Sequence, residues 1–139
     1  MGRVAVAAKI ENYSDLDQNE RGGLEPDRVR FIEVPDALVD TGATMLSLPL
    51  PLIEQLGLKR RRTRKIRSAI GVAEMGVFDA VRLTIQGRDC VVEVGELATG
   101  CPVLIGQIPL EALDWVVDPI GQRLIGNPDH NGEWMYDAF

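Results

Sequence analysis

The sequence predicts an all-β chain, a closed or sandwich-like arrangement of many short strands with one or two short helices. Three observations carry that expectation. Apolar residues fall in short runs, such as Val4 to Ile10, Ala37 to Val39 and Val81 to Ile85, and several runs alternate with other residues at a period of two. Aromatic residues are sparse, three Phe, two Tyr and two Trp in 139 positions, so the core must be built from Val, Ile, Leu and Ala, many of them β-branched. Gly, Pro, Asn and Asp separate the runs where turns are needed. With 45% hydrophobic and 26% charged residues, the length suits one globular domain over residues 1–139, and two full domains would not fit.

Taken in order, Arg3 to Ile10 reads as a half-buried strand with Val4, Val6, Ala8 and Ile10 on one face. Residues 11–26 are polar and are expected to form a solvated loop without packed structure of its own. Arg28 to Val34 is a strand, Pro35-Asp36 is expected to break it, and Ala37-Leu38-Val39 resumes and delivers Asp40 at a strand end. After Met45 to Leu48, Pro49 and Pro51 start a short helix that Gly57 stops. Lys59 to Arg67 leads into a hairpin with its tip near Gly71, returning through Gly76-Val77-Phe78. A second hairpin joins Val81 to Ile85 with Cys90 to Val94. Val103-Leu104-Ile105 closes on Gly106, a brief helix spans Ile108 to Leu113, and Trp115 to Val117 pairs with Arg123 to Ile125. Residues 127–139 form a polar, Gly-containing tail.

The formal net charge of −6 argues against general affinity for nucleic acid or anionic membrane. No run approaches the roughly 20 apolar residues that cross a bilayer. The start, Met1 to Val6, has no apolar signal core, and Val6 stands where a myristoylation signal needs Ser or Thr, so the chain reads as cytoplasmic. Cys90 and Cys101 are too few for a disulfide framework and are read as reduced thiols.

Asp40-Thr41-Gly42-Ala43-Thr44 is the segment that carries chemistry. It places a carboxylate between Ala37-Leu38-Val39 and Met45-Leu46-Ser47-Leu48, where the chain looks like buried strand. Burying an unpaired carboxylate costs several kcal/mol, and holding a proton is the cheap escape, which suits general acid and base work. As a bare tripeptide Asp-Thr-Gly is a common turn in which Asp caps amides and Gly takes positive φ. The chain contains this segment once, so a pair of carboxylates sharing a proton would need a second copy of the protein, related by a two-fold axis.

Two aliphatics, Asp-Thr-Gly-Ala-Thr, an apolar strand, a hairpin near Gly71, then Leu104-Ile105-Gly106 and a short helix form an order that resembles the retropepsin-like aspartic proteases over roughly Ala37 to Val117. The resemblance implies an acid-protease closed β-barrel. It implies a homodimer in which each subunit supplies one Asp40, with chain termini contributing to the dimer sheet. Thr41 would brace the two loops, Gly42 would let the backbone approach the paired carboxylates, Ala43 completes the loop, and Thr44 would donate its hydroxyl to Asp40. Leu104, Ile105 and Gly106 would support the loop, and Ala69, Ile70, Gly71, Val72 and Ala73 would be a flap closing on an extended peptide or protein substrate. The activity implied is that of an aspartic endopeptidase needing no metal and no cofactor. The same dimer as a non-catalytic peptide-binding or scaffold module is the alternative reading.

Other constellations have plainer explanations. Lys59 to Arg67 holds seven cationic residues in nine positions and reads as a solvated strand, the alternatives being a site for an acidic partner or RNA backbone, or a self-cleavage point. His130 has Asp129, Glu133 and Asp137 nearby, but one His in a tail lacks the geometry of a closed metal site. Trp115, Trp134 and Tyr136 are read as packing residues.

Overall fold

Alternation dictates the first strand. In the computed structural model, β1 (Ala5–Asn12) sends Val6, Ala8 and Ile10 inward as the period of two requires, with Val4 buried just before it. Residues 3–138 are described, the side chain of Ser68 excepted. Met1 and Gly2, on which the N-terminal targeting reading rests, and Phe139 of the tail lie outside them.

The segment expected as a solvated loop is folded, and two buried polar side chains are the reason. Asn12 accepts the Asp15 amide on Oδ1 at 3.0 Å and so caps a helix, α1 (Tyr13–Glu20). Its Nδ2 donates to the Leu56 carbonyl at 2.8 Å. Asp15 faces inward and accepts three bonds from Arg30, from the backbone N–H at 3.0 Å, Nε at 2.8 Å and Nη2 at 3.0 Å. These contacts hold the Asp15 carboxyl below the usual carboxylate range, the Arg30 side-chain bond first, against the opposing effect of burial. Asp15→Ala strips those acceptors from an exposed guanidinium and a backbone amide. We expect a loss of about 2–3 kcal/mol, checked by the urea midpoint of the variant.

A 3-10 turn at Pro26–Arg28 leads to β2 (Phe31–Val39). The expected break at Pro35-Asp36 does not occur. β2 runs through it with a one-residue bulge, since Ala8 pairs with Val34 but Val6 with Ala37, and the bulge accommodates a residue that cannot donate to the ladder. β3 (Leu46–Pro49) passes into α2 (Leu50–Gln55), which ends at Gly57 in a left-handed conformation (φ +68°). The Arg30 guanidinium lies against Gly57: a Cβ there would fall 1.8 Å from Nη1.

β4 (Arg60–Ser68) and β5 (Gly71–Ile85) form the expected hairpin, with Ala69-Ile70 rather than Gly71 at its tip. β5 turns through Gln86-Gly87, both at positive φ, into β6 (Arg88–Leu97). β7 (Leu104–Ile105) precedes α3 (Gln107–Leu113), and β8 (Trp115–Asp118) pairs with β9 (Arg123–Gly126) in a separate two-stranded sheet. The main sheet has the order β1-β2-β7-β3-β6-β5-β4, and β1 also pairs with β5, so six strands close into a ring with β4 outside it. Ile10, Leu46, Leu48, Ile53, Leu56, Leu83, Ile85 and Ile105 fill the interior with no measurable exposure. This is the all-β, acid-protease-like architecture expected, with three α-helices among the described residues where one or two were expected. Cys90 and Cys101 are free, and burial pushes the half-buried Cys90 thiol up to about 11.

The tail is docked, not loose. His130 is buried, with Nδ1 2.6 Å from Asp114 Oδ2 and Nε2 3.1 Å from Asp137 Oδ1. Trp134 Nε1 and the Tyr136 hydroxyl both donate to the Ala112 carbonyl, and Arg88 stacks on Trp115 while donating to Leu113, Asp114 and Gly132 carbonyls. Beyond β9 the described residues add no strand. Asp114 raises the His130 pKa, helped by Asp137 and opposed by desolvation. Asp114 sits low: burial acts to raise it, but the His130 bond, the Met135 amide and Asn127 outweigh that.

The signs define a window. A raised His contributes fully below its ordinary value of about 6.5 and loses the contribution as pH rises through the raised value; a lowered Asp contributes above about 3.8 and loses it as pH falls through the lowered value. Tail docking is therefore expected to be firmest between about pH 4 and about pH 6.5 and to weaken above it. Hydrogen exchange at the Met135 amide, which donates to Asp114, measures this, corrected for intrinsic rate. Protection that stays flat from about pH 5 to about pH 9 would contradict it.

Candidate active site

The Asp40 loop is built by its neighbours. β7 lies between the strands that enter and leave the loop, parallel to β2 (Leu38 opposite Leu104, Val39 opposite Ile105) and antiparallel to β3 (Leu46 opposite Ile105). The Asp40 amide donates to the Ile105 carbonyl at 3.0 Å, which fixes where the carboxylate leaves the sheet. The Ala43 amide closes the turn on the Asp40 carbonyl at 3.1 Å. From the other side, the amides of Gly106, Gln107 and Ile108 donate to the carbonyls of Met45, Ala43 and Thr44 at 3.1, 2.8 and 2.8 Å. Eight backbone atoms of the loop and of the segment Ile105 to Ile108 are thus used in holding the two against each other, and the Asp40 carboxylate is the acidic group this frame presents.

Gly106 is required by this arrangement. A Cβ there would lie 2.5 Å from the Met45 carbonyl oxygen, 2.7 Å from the Thr44 carbonyl carbon and 2.8 Å from the Ala43 carbonyl oxygen, all backbone atoms. Gly42 serves differently from the turn chemistry expected of it. It is not in the left-handed region; its amide donates to Asp40 Oδ1 at 2.9 Å, and a Cβ would crowd that oxygen at 3.3 Å. Among the described residues the Thr44 hydroxyl makes no bond to Asp40, and the Gly42 amide is the donor the carboxylate has.

The carboxylate is not sealed inside the chain. Asp40 is half-buried, and Thr41, Gly42 and Thr44 are exposed, so the loop crests at the surface where a segment flanked by apolar residues would be expected to be covered. Two grooves meet it. One, of about 380 Å³, is lined by Arg3, Leu38, Val39, Asp40, Pro102 and Leu104. The other, of about 390 Å³, runs from Thr44 and Met45 under the inner face of the β4–β5 hairpin, past Ile66, Met75 and Val77 to Ile108. A larger cleft of about 490 Å³ sits at the β2 bulge, lined by Ala7 to Lys9, Glu33 to Pro35 and Thr84. It contains none of the loop residues, and it follows from the bulge alone.

Asp40 to Thr44 and Leu104 to Gly106 are therefore brought together as the sequence suggested, while Ala69 to Ala73 lie at the far end of the hairpin, with Ile70 99% exposed and Val72 70% exposed. Sequence reasoning did not find Met45, Met75, Ile108 and Glu93 as groove residues. Met75 and Glu93 reach the groove only through the pairing of β4, β5 and β6, which no local pattern reveals; the apolar alternation of Met75 and Val77 along the return limb was the one available signal.

This combination of a closed strand ring, an Asp-Thr-Gly loop and a strand threaded between its two limbs defines a retropepsin-like acid protease fold. A sequence model of the aspartyl protease family matches residues 28–108, more than half of the chain, and the chain belongs to that family. No match is found among curated proteins. Family membership supports aspartic protease activity, a hydrolase chemistry, in general terms. Among the described residues no helix is long and apolar enough to cross a membrane.

Proposed function

We propose that the protein is an aspartic endopeptidase acting as a homodimer, with one Asp40 from each subunit forming the catalytic pair. The observation that carries this reading is the surface position of Asp40, one per chain, on a backbone-held loop whose Thr44 and Met45 open onto a groove that runs under a hairpin. An isolated half-buried carboxylate can be acid or base at a given moment but not both. A two-fold axis through the loop crest supplies the second. Two carboxylates about 3 Å apart do not both ionise readily, so the pair shares one proton and titrates in two macroscopic steps.

Peptide hydrolysis follows from that shared proton. The ionised Asp40 takes a proton from a water lying between the pair, and the water oxygen attacks the peptide carbonyl carbon. The protonated Asp40 donates to the carbonyl oxygen, giving a tetrahedral diol. Collapse of the diol returns a proton through the pair to the departing amine. The Gly42 amide, bonded to Asp40 Oδ1, fixes the orientation of the carboxylate. Substrate would lie extended in the groove, its backbone bonded to the hairpin edge and its side chains against Met45, Ile66, Met75, Val77 and Ile108.

The test is cleavage of an unstructured protein between acidic and neutral pH, run beside a sizing measurement and with a statine-type inhibitor. Inhibitor-sensitive cleavage by a dimer is the expected outcome. Intact substrate across that range under dimeric conditions would reject the enzyme and favour a peptide-binding module.

A further inference from the structure

The basic hairpin strand has no part in the proton chemistry, yet it forms one wall of the groove. β4 carries Arg60, Arg61, Arg62, Arg64, Lys65 and Arg67 in a protein of net charge −6. Cross-strand register places Arg62 opposite Val77, Arg64 opposite Met75 and Ile66 opposite Ala73, so by the period of two Arg62, Arg64 and Ile66 share a face with Met75 and Val77. Arg61 pairs with Asp79. Arg62 is tied to Glu93 by two bonds, Nη1 to Oε2 at 2.8 Å and Nη2 to Oε1 at 2.5 Å.

That fork occupies both oxygens of Glu93, the one carboxylate lining the groove among the described residues. Arg64, Lys65 and Arg67 also line it and make no ion pair among the described residues. By the same register Lys65 and Arg67 point to the other face of the hairpin, so beside the paired Arg62 the cation on the apolar face is Arg64, which acts on Glu93 through space without bonding to it. Arg64 lies among the apolar side chains of the inner face, where a ligand carboxylate would meet a planar guanidinium fork.

We propose that the groove selects extended peptides bearing an acidic side chain, Asp or Glu, among apolar ones, with Arg64 as the specificity-determining residue. The proposal rests on the reading of this groove as the substrate channel. Arg62 acts as a strut: its fork holds both Glu93 oxygens, so Arg64, though within electrostatic reach of Glu93, keeps its own donors for a ligand. A Lys or Arg in the same subsite would face Arg64 beside Arg62 and be repelled.

The experiment uses short fluorescent peptides, apolar and otherwise neutral, in which Glu, Gln or Lys is placed in turn at each position. Each set is assayed for cleavage by the wild type and, by anisotropy, for binding to Asp40→Asn, which reads the groove without turnover. At one position Glu should be favoured over Gln about five- to tenfold and Lys should be worst, the preference shrinking at high salt. Arg64→Met should make Glu and Gln equal, and Arg64→Glu should favour Lys. Equal handling of Glu and Gln at every position, or an unchanged preference in Arg64→Glu with an unchanged melting temperature, would overturn the proposal. Displacement of the Glu peptide by a comparable concentration of short single-stranded RNA would also overturn it, assigning the cations to nucleic acid. A retained Glu preference in binding without any cleavage would count against the protease and leave the acidic selectivity standing.

Discussion

Asp40→Asn is expected to lower peptide hydrolysis by at least about 10³-fold while leaving the fold and the dimer intact. The change is nearly isosteric. Its amide oxygen can still accept the Gly42 N–H, which is the contact that orients the side chain, so the loop has no reason to move. What disappears is the proton. An amide neither takes one from water nor gives one to a carbonyl oxygen near neutral pH, and in a symmetric dimer the substitution removes both members of the pair at once. Circular dichroism and sizing should match the wild type. A variant that keeps more than about a tenth of the activity would place the chemistry elsewhere, since general acid and base work alone accounts for a larger factor.

Gly106→Ala is expected to destabilise the protein by about 3 kcal/mol or more and to abolish activity even where folding survives. A methyl group at Gly106 meets the backbone at Ala43, Thr44 and Met45 at distances no Cβ occupies. Backbone cannot rotate aside as a long side chain does, so the Asp40 loop and the segment after β7 must separate. The amides of Gln107 and Ile108 would then lose their carbonyl partners, and Asp40 would lose its fixed exit from the sheet. Urea unfolding read beside activity checks this, with Gly23→Ala as a control because a Cβ there meets one atom at an ordinary 3.7 Å. Equal stability of the Gly106→Ala variant and the wild type would show that the loop is not held as described.

The ring of strands and the Asp40 loop were legible because both leave local marks. Period-two alternation marks β1 and β5, Gly87 marks the turn between β5 and β6, and apolar runs bracket Asp40 and precede Gly106. What stayed hidden depends on partners distant in sequence. Residues 11–26 look solvated until Asn12 is seen to reach Leu56 and Asp15 to reach Arg30; a buried Asp cannot be told from an exposed one by its neighbours in the chain. The tail looks loose for the same reason, its order resting on His130 with Asp114 and on Trp134 and Tyr136 with Ala112. Pro35 looks like a strand break because the bulge that absorbs it is a property of the β1–β2 pair. In the groove, the sequence separation of Arg62 from Glu93 conceals the contact that occupies both Glu93 oxygens and leaves Arg64 without a hydrogen-bonded carboxylate.

A subunit-mixing measurement tests the central claim most directly. Wild-type and Asp40→Asn chains, co-refolded in equal amounts so that dimers form at random, are assayed at constant total protein. If each site needs Asp40 from both subunits, only the wild-type pairs are active, and about one quarter of the wild-type rate remains. Retention of about one half would mean that each Asp40 works alone, and would contradict the shared pair.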